Sequence, residues 1–215
     1  MIIESNKEPH DKFFVETPVS LAKSAVFFAS AEIEMQYNNF TMAIISAYYS
    51  LFHLGLTLMW MLPQYMPEDL HRNLIEIRDR GEELPDKSIK HKDIKNFLST
   101  IQKKLPDSHL VLIYQRALKL REFVNYGPRV YYDGKQPLVG PCDSTIRDVR
   151  EVVDEIPEVF FKTIKDAATQ TVYNGDLTIY IIVALDLLRK SEFPFIGWFP
   201  TSVLNRAEEV IKNLK

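Results

Sequence analysis

The chain has one cysteine and seven glycines in 215 residues. A single Cys142 excludes an intramolecular disulfide and a cysteine-based metal cluster, and it points to a reducing, cytoplasmic setting. So few glycines, beside 12 prolines, exclude a turn-rich β architecture and a low-complexity coil. There is no Gly-rich phosphate loop and no His-x-x-x-His pair. No metal or cofactor is therefore expected. The first 14 residues lack the apolar core of a signal peptide.

Charge is also missing from one long stretch. Residues 35–67 contain no Asp, Glu, Lys or Arg, and residues 42–62 are long enough to span a bilayer. However, Ser46, Tyr48, Tyr49, Ser50, His53 and Thr57 interrupt that run, and no Lys or Arg flanks it. A helix apolar on most sides is also what occupies the centre of a soluble bundle. We expect that buried helix, and no membrane partner.

What is present fits one well-packed core, with 46% hydrophobic and 26% charged residues. Charge is distributed unevenly. Residues 1–86 hold 6 Lys/Arg against 13 Asp/Glu, residues 87–129 hold 10 against 3, and residues 130–215 hold 10 against 13. A basic middle inside an acidic chain reads either as a local anion-binding surface or as a solvated helix face.

The punctuation predicts an all-α fold. Thr17-Pro18 reads as an N-cap with proline in the first turn, opening a helix to about Tyr37. Its residues Leu21, Ala25, Phe28, Ala29 and Ile33 recur at helical spacing. Asn38-Asn39 makes the turn into a helix over residues 40–61, stopped before Pro63. Helices are predicted over residues 68–80 and 88–104, the latter with Ile94, Phe97, Leu98 and Ile101 as its buried stripe. Asp107 reads as the cap of a helix to Tyr126, ended by Gly127-Pro128. Residues 129–141 (RVYYDGKQPLVGP) read as a loop or short hairpin. A long helix to Gln170 follows, with Pro157 expected to kink it. Asp176 opens a helix to Lys190, and Thr201 or Ser202 opens the last one. The aromatic residues 193–200 (FPFIGWFP) between them either fold back over the core or dock a partner.

Three segments carry candidate chemistry. Residues 39–53 (NFTMAIISAYYSLFH) pair Tyr48 with Phe52 and Tyr49 with His53 at i,i+4, so adjacent helix faces carry large rings. They read as a polar-tipped core or as the lining of a groove beside Arg121. Residues 91–97 (HKDIKNF) place His91 and Lys95 on one face. Residues 120–127 (LREFVNYG) place Arg121 and Asn125 on one face, whereas Tyr126 lies about 140° away around the helix. A guanidinium with a carboxamide four residues on suits phosphate and base contact; the alternative is an Arg121 paired to an acidic neighbour.

In order and spacing, these three segments resemble the HEPN superfamily in its small stand-alone branch, over roughly residues 18–168. The resemblance implies a HEPN-like antiparallel helical bundle with additional C-terminal helices. Residues 1–17 would be an N-terminal extension and residues 169–215 a helical extension packed on the bundle. Active HEPN proteins are metal-independent endoribonucleases in which Arg stabilises phosphate charge and a His, four to six residues on, moves a proton. Here those positions hold Tyr126, Gly127 and Pro128, and Tyr126 is a weak proton carrier with a reference pKa of about 10.

The resemblance therefore implies an RNA- or nucleotide-binding protein, a degenerate or atypical member of the toxin–antitoxin and defence group. Its catalytic candidates are Arg121, Asn125 and Tyr126. Its binding candidates are Tyr49, His53, His91, Lys95, Arg121 and Arg129. A homodimer and a nucleotidyltransferase-like partner are implied by the resemblance as well. The alternative is a non-catalytic interaction module, an adaptor or antitoxin-type partner.

Overall fold

The computed structural model describes residues 16–79, 89–103, 109–126, 131–133, 136–138, 143–170, 176–190 and 199–214. Among the described residues, the architecture is all-α with one short hairpin. Helices α1 (Glu16–Gln36) and α2 (Phe40–Met61) are followed by a 3-10 turn (Pro63–Tyr65). Then come α3 (Glu68–Asp79), α4 (His91–Ile101) and α5 (Leu110–Tyr126). Strands β1 (Tyr131–Asp133) and β2 (Gln136–Leu138) pair antiparallel. Helices α6 (Asp143–Gln170), α7 (Asp176–Arg189) and α8 (Thr201–Lys212) complete the chain.

The turn between α1 and α2 forms because Asn38 accepts a left-handed conformation, with φ 57°. The Asn39 amide bonds back to the Glu34 carbonyl at 2.8 Å, and its side chain donates to the Glu34 carboxylate at 2.7 Å. The two helices then run antiparallel. Ser24 Oγ donates to the Ser50 carbonyl at 2.8 Å and Ser50 Oγ donates to the Ser24 carbonyl at 2.9 Å, while Ser46 reaches Ser30. Small residues Ala25, Ala29 and Ala47, all fully buried, line the same two helices.

Helix α2 is the centre of the bundle. It packs against α1, α4, α5 and α6, and its length and apolarity match a membrane span only in composition, since most of that window is buried in protein. Gly55 is needed there: a Cβ would meet Ile94 Cγ2 of α4 at 2.7 Å. On α4 the expected stripe Ile94, Phe97, Leu98 and Ile101 is buried. Helices α7 and α8 pack on α1. Arg206 of α8 clasps both carboxylate oxygens of Glu32 on α1 at 2.8 and 3.0 Å.

Two local expectations are corrected. Thr17 is not a cap, because α1 already includes Glu16; Thr17 lies in the first turn, with Oγ1 buried and unpartnered. The helix predicted over residues 88–104 is shorter, because Lys90 forms its N-cap and its amide donates to the Asp93 carboxylate at 2.8 Å. Helix α6 continues through Pro157, which has no amide proton to give. Asp107, Gly127, Pro128, Arg129, Cys142 and Trp198 lie outside the described residues, as do the side chains of Asn125 and Tyr126.

Candidate functional site

Helix α5 presents a stripe of buried positions, Leu110, Tyr114 and Ala117, at helical spacing. The next position on that stripe is Arg121. A cation thereby follows an apolar face to the edge of the core. Its Nε is buried and has no hydrogen-bond partner, and no ion pair to it occurs among the described residues. The acidic neighbours of this helix belong instead to Arg116, about 1.4 turns earlier. Arg116 pairs with Glu151 and lies 3.6 Å from Asp148 and 3.5 Å from Glu155, all on α6.

What faces Arg121 is aromatic. Its guanidinium carbon lies 5.1 Å from the Tyr48 ring centroid and 5.8 Å from that of Tyr49. These are cation–π distances. Tyr48 is fully buried and its hydroxyl is satisfied, 2.5 Å from His91 Nδ1 and 3.4 Å from the Tyr114 hydroxyl. Tyr114 in turn donates to the His91 carbonyl at 3.4 Å. Burial raises the pKa of both tyrosines, so both remain phenols at neutral pH.

His91 is the first residue of α4 and is exposed, yet its ring rests edge-on against Phe52, with centroids 4.8 Å apart. Desolvation first, and the Arg121 charge second, lower its pKa below the usual His range. The imidazole is therefore neutral at physiological pH.

His53 takes a different place. Its ring stacks on Phe27 of α1 at 5.5 Å, with the planes 3° apart. Its Nδ1 is buried without a partner, and burial with the nearby Lys23 charge pushes its pKa down to about 3. It is a neutral packing group. Tyr49 joins the two regions, packing on Phe27 at 5.5 Å while Arg121 covers its ring. Phe199, the described end of the aromatic 193–200 segment, meets Phe27 edge-on at 6.0 Å and so folds back over the core.

Of the expected site residues, Tyr49, His91 and Arg121 come together around Tyr48. Lys95 stands exposed one turn beyond His91 on α4. Lys90, Lys92, Lys95, Lys103 and Lys119 form no ion pair with a described residue. Sequence reasoning missed Tyr114, whose signal was its i,i+7 spacing before Arg121. It also missed the role of Tyr48 as the shared neighbour of Arg121 and His91. A cavity of about 290 Å³ lined by Glu32, Arg150 and Asp154 opens between α1 and α6 and shares none of these residues.

The arrangement supplies a cation with no counter-charge among the described residues, a neutral imidazole and partly open aromatic faces at Tyr49 and Phe52. Chemically it can hold an anion, exchange one hydrogen bond with a neighbouring group and stack a planar ring. No family model matches this sequence, and no curated protein or solved structure is significantly similar to it.

Proposed function

We propose that this chain binds RNA or a nucleotide through phosphate contact at Arg121, as a degenerate relative of the metal-independent HEPN endoribonucleases. One observation carries the reading. Arg121 has no carboxylate partner among the described residues and holds its Nε buried and unpaired over two tyrosine rings. Five other arginines have a described carboxylate partner: Arg72 with Asp69, Arg116 and Arg147 with Glu151, Arg189 with Glu208 and Arg206 with Glu32. The guanidinium carries a charge with no carboxylate beside it among the described residues, and a phosphate would supply that counter-charge at its terminal nitrogens.

The excess of Lys and Arg over residues 87–129 adds a diffuse field, and Tyr49 and Phe52 offer faces for a base. Asn125, Tyr126 and Arg129 belong to this proposal as flanking contacts. If cleavage accompanies binding, His91 replaces the missing histidine, because it shares Tyr48 with Arg121. His53, stacked on Phe27, does not.

The test is incubation of the purified protein with RNA in EDTA, beside salt-dependent binding, for wild type and Arg121→Ala. Binding that weakens with salt and is lost in the variant supports the reading. Full binding by a folded Arg121→Ala protein overturns it.

A second reading, a helical interaction module that pairs with a second copy, is favoured by α7. Ile179 and Ile182 stand 44% and 54% exposed, three residues apart on one face. Ile182→Glu is expected to shift the protein from dimer to monomer in light scattering; a wild type that is monomeric at micromolar concentration removes this reading.

A further inference from the structure

The cavity of about 290 Å³ between α1 and α6 is separate from the Arg121 region, and its lining has a pattern of its own. Val153 of α6 is 3% exposed and Met35 of α1 is partly buried, so these two form the inner surface. Gln36, Arg150 and Asp154 are exposed and stand around the mouth, with Glu32 partly buried beside them. An apolar floor thus lies under a charged rim.

The rim charges are not equivalent. Glu32 already has its counter-charge, because Arg206 of α8 donates to both of its carboxylate oxygens at 2.8 and 3.0 Å. Arg206 also reaches Glu209 at 3.0 Å, so it is fully engaged. Arg150 and Asp154 have no such partners: neither side chain forms an ion pair or hydrogen bond with another described residue. They lie one turn apart on α6, the spacing at which Arg147 and Glu151 approach to 3.8 Å. Arg150 and Asp154 do not pair with each other. A positive and a negative charge are left apart on one wall of the cavity.

That pattern selects among ligands. A simple anion meets Arg150 but also the carboxylates of Asp154 and Glu32, and a simple cation meets Asp154 but also Arg150. A zwitterion satisfies both unmatched charges at once. Positions one turn apart have Cβ atoms about 5–6 Å from each other, a span that a carboxylate and an ammonium on one carbon bridge through their hydrogen bonds. The volume lies at the lower end of the range for small-molecule pockets, roughly 300–1,000 Å³, so the occupant is small.

We propose that this cavity binds a free α-amino acid with an apolar side chain. Arg150 takes the carboxylate, Asp154 takes the ammonium, and the side chain lies against Val153 and Met35. Glu32, fixed by Arg206, places a second carboxylate on the opposite wall and rejects acidic side chains. Arg206 is a positioning residue that acts through Glu32. Because the charges sit at an exposed rim, each ion pair contributes modestly, and a dissociation constant of about a millimolar is expected.

The experiment uses the full chain with ¹³C-labelled methionine methyls, the Met35 signal being assigned by Met35→Leu. The probes are L-leucine, L-methionine and L-glutamate, together with isocaproate and isoamylamine, which keep the leucine side chain and one charge each. L-leucine and L-methionine are expected to shift the Met35 methyl. Each single-charge analogue should bind about fivefold more weakly, as the loss of one exposed ion pair implies. L-glutamate should leave the signal unmoved. Arg150→Gln should reduce leucine binding to the level of isoamylamine, and Asp154→Asn should reduce it to that of isocaproate. Both replaced side chains are exposed and unpaired, so the variants should melt with the wild type.

No shift of Met35 with tens of millimolar L-leucine or L-methionine overturns the proposal. So does equal binding of leucine and its single-charge analogues, binding of glutamate as tight as that of leucine, or full leucine binding by both folded variants. Arg121→Ala should leave the titration unchanged, so this result stands or falls independently of the phosphate reading.

Discussion

Arg121 and Tyr48 lie on different helices, and the guanidinium carbon of one sits 5.1 Å from the ring centroid of the other while Nε finds no acceptor. The contact is a cation–π pair holding a charge that nothing else in the described bundle neutralises. Such a pair is worth about 0.5–1 kcal/mol at a partly exposed site. Leaving a buried donor unpaired costs about 1–3 kcal/mol. The balance favours removal.

Arg121→Met, which keeps the packing volume of the side chain, is therefore expected to stabilise the protein by up to about 1 kcal/mol. Urea denaturation of the two proteins checks this. A loss of stability in the methionine variant would mean that Arg121 is a structural residue.

His53 ties stability to pH. Its pKa is pushed down to about 3 from an ordinary 6.5, so the fold excludes the charged form. Above pH 6.5 both states carry neutral His53 and its contribution is whole. Between pH 6.5 and about 3 the unfolded chain takes up a proton that the folded chain refuses, and stability falls by up to about 1.4 kcal/mol per pH unit. Because carboxylates also titrate in acid, the measure is the difference between wild type and His53→Phe, which keeps the stack on Phe27. That difference should shrink or reverse in favour of the phenylalanine variant as pH drops from 7 to 4.

Gly55 sets the spacing of α2 and α4. An alanine gains about 1 kcal/mol of helix propensity, but its Cβ would meet Ile94 Cγ2 at 2.7 Å. Overpacking of this kind costs about 1–3 kcal/mol. Gly55→Ala is expected to lower stability by about 1 kcal/mol and to shift α4, loosening the hydrogen bond between Tyr48 and His91. Both effects should be largely reversed by adding Ile94→Val, and thermal melts with His91 ring shifts report the two separately.

Ser24 and Ser50 exchange hydrogen bonds with each other's carbonyls and fix the register of α1 on α2. Each alanine substitution should cost about 1 kcal/mol, since one donor is lost while the acceptor stays buried. The double variant should cost less than the sum of the two, because the hydroxyls also lie 3.5 Å apart. Additive costs would show that the two bonds act independently.

Much of the fold was legible because helical signals are local. Asn38 at positive φ, the stripe on α4 and the run before Pro63 each announced an element boundary or a buried face within a few residues. The hairpin at residues 131–138 was one of two readings of its segment, and the structure takes it. Thr17 was misread because the preceding Glu16 is already helical, and a cap differs from a first-turn residue only in backbone angles. The candidate site was half legible. Arg121, Tyr49 and His91 were singled out, whereas Tyr114 was not, because only packing brings its hydroxyl to Tyr48.

By itself, the sequence determined the order of the helices, the central burial of residues 40–61 and the basic character of the middle third, since periodicity and charge count are properties of short windows. The tertiary structure alone decided which of two arginines pairs with a carboxylate among the described residues and which does not. Arg116 and Arg121 differ by five residues, and so by about 140° around α5. That rotation turns one toward the acidic face of α6 and the other onto Tyr48. It also decided that His91, 43 residues from Tyr48, shares a hydrogen bond with it. Contacts between distant segments depend on how helices pack, and no local pattern encodes the distance between them.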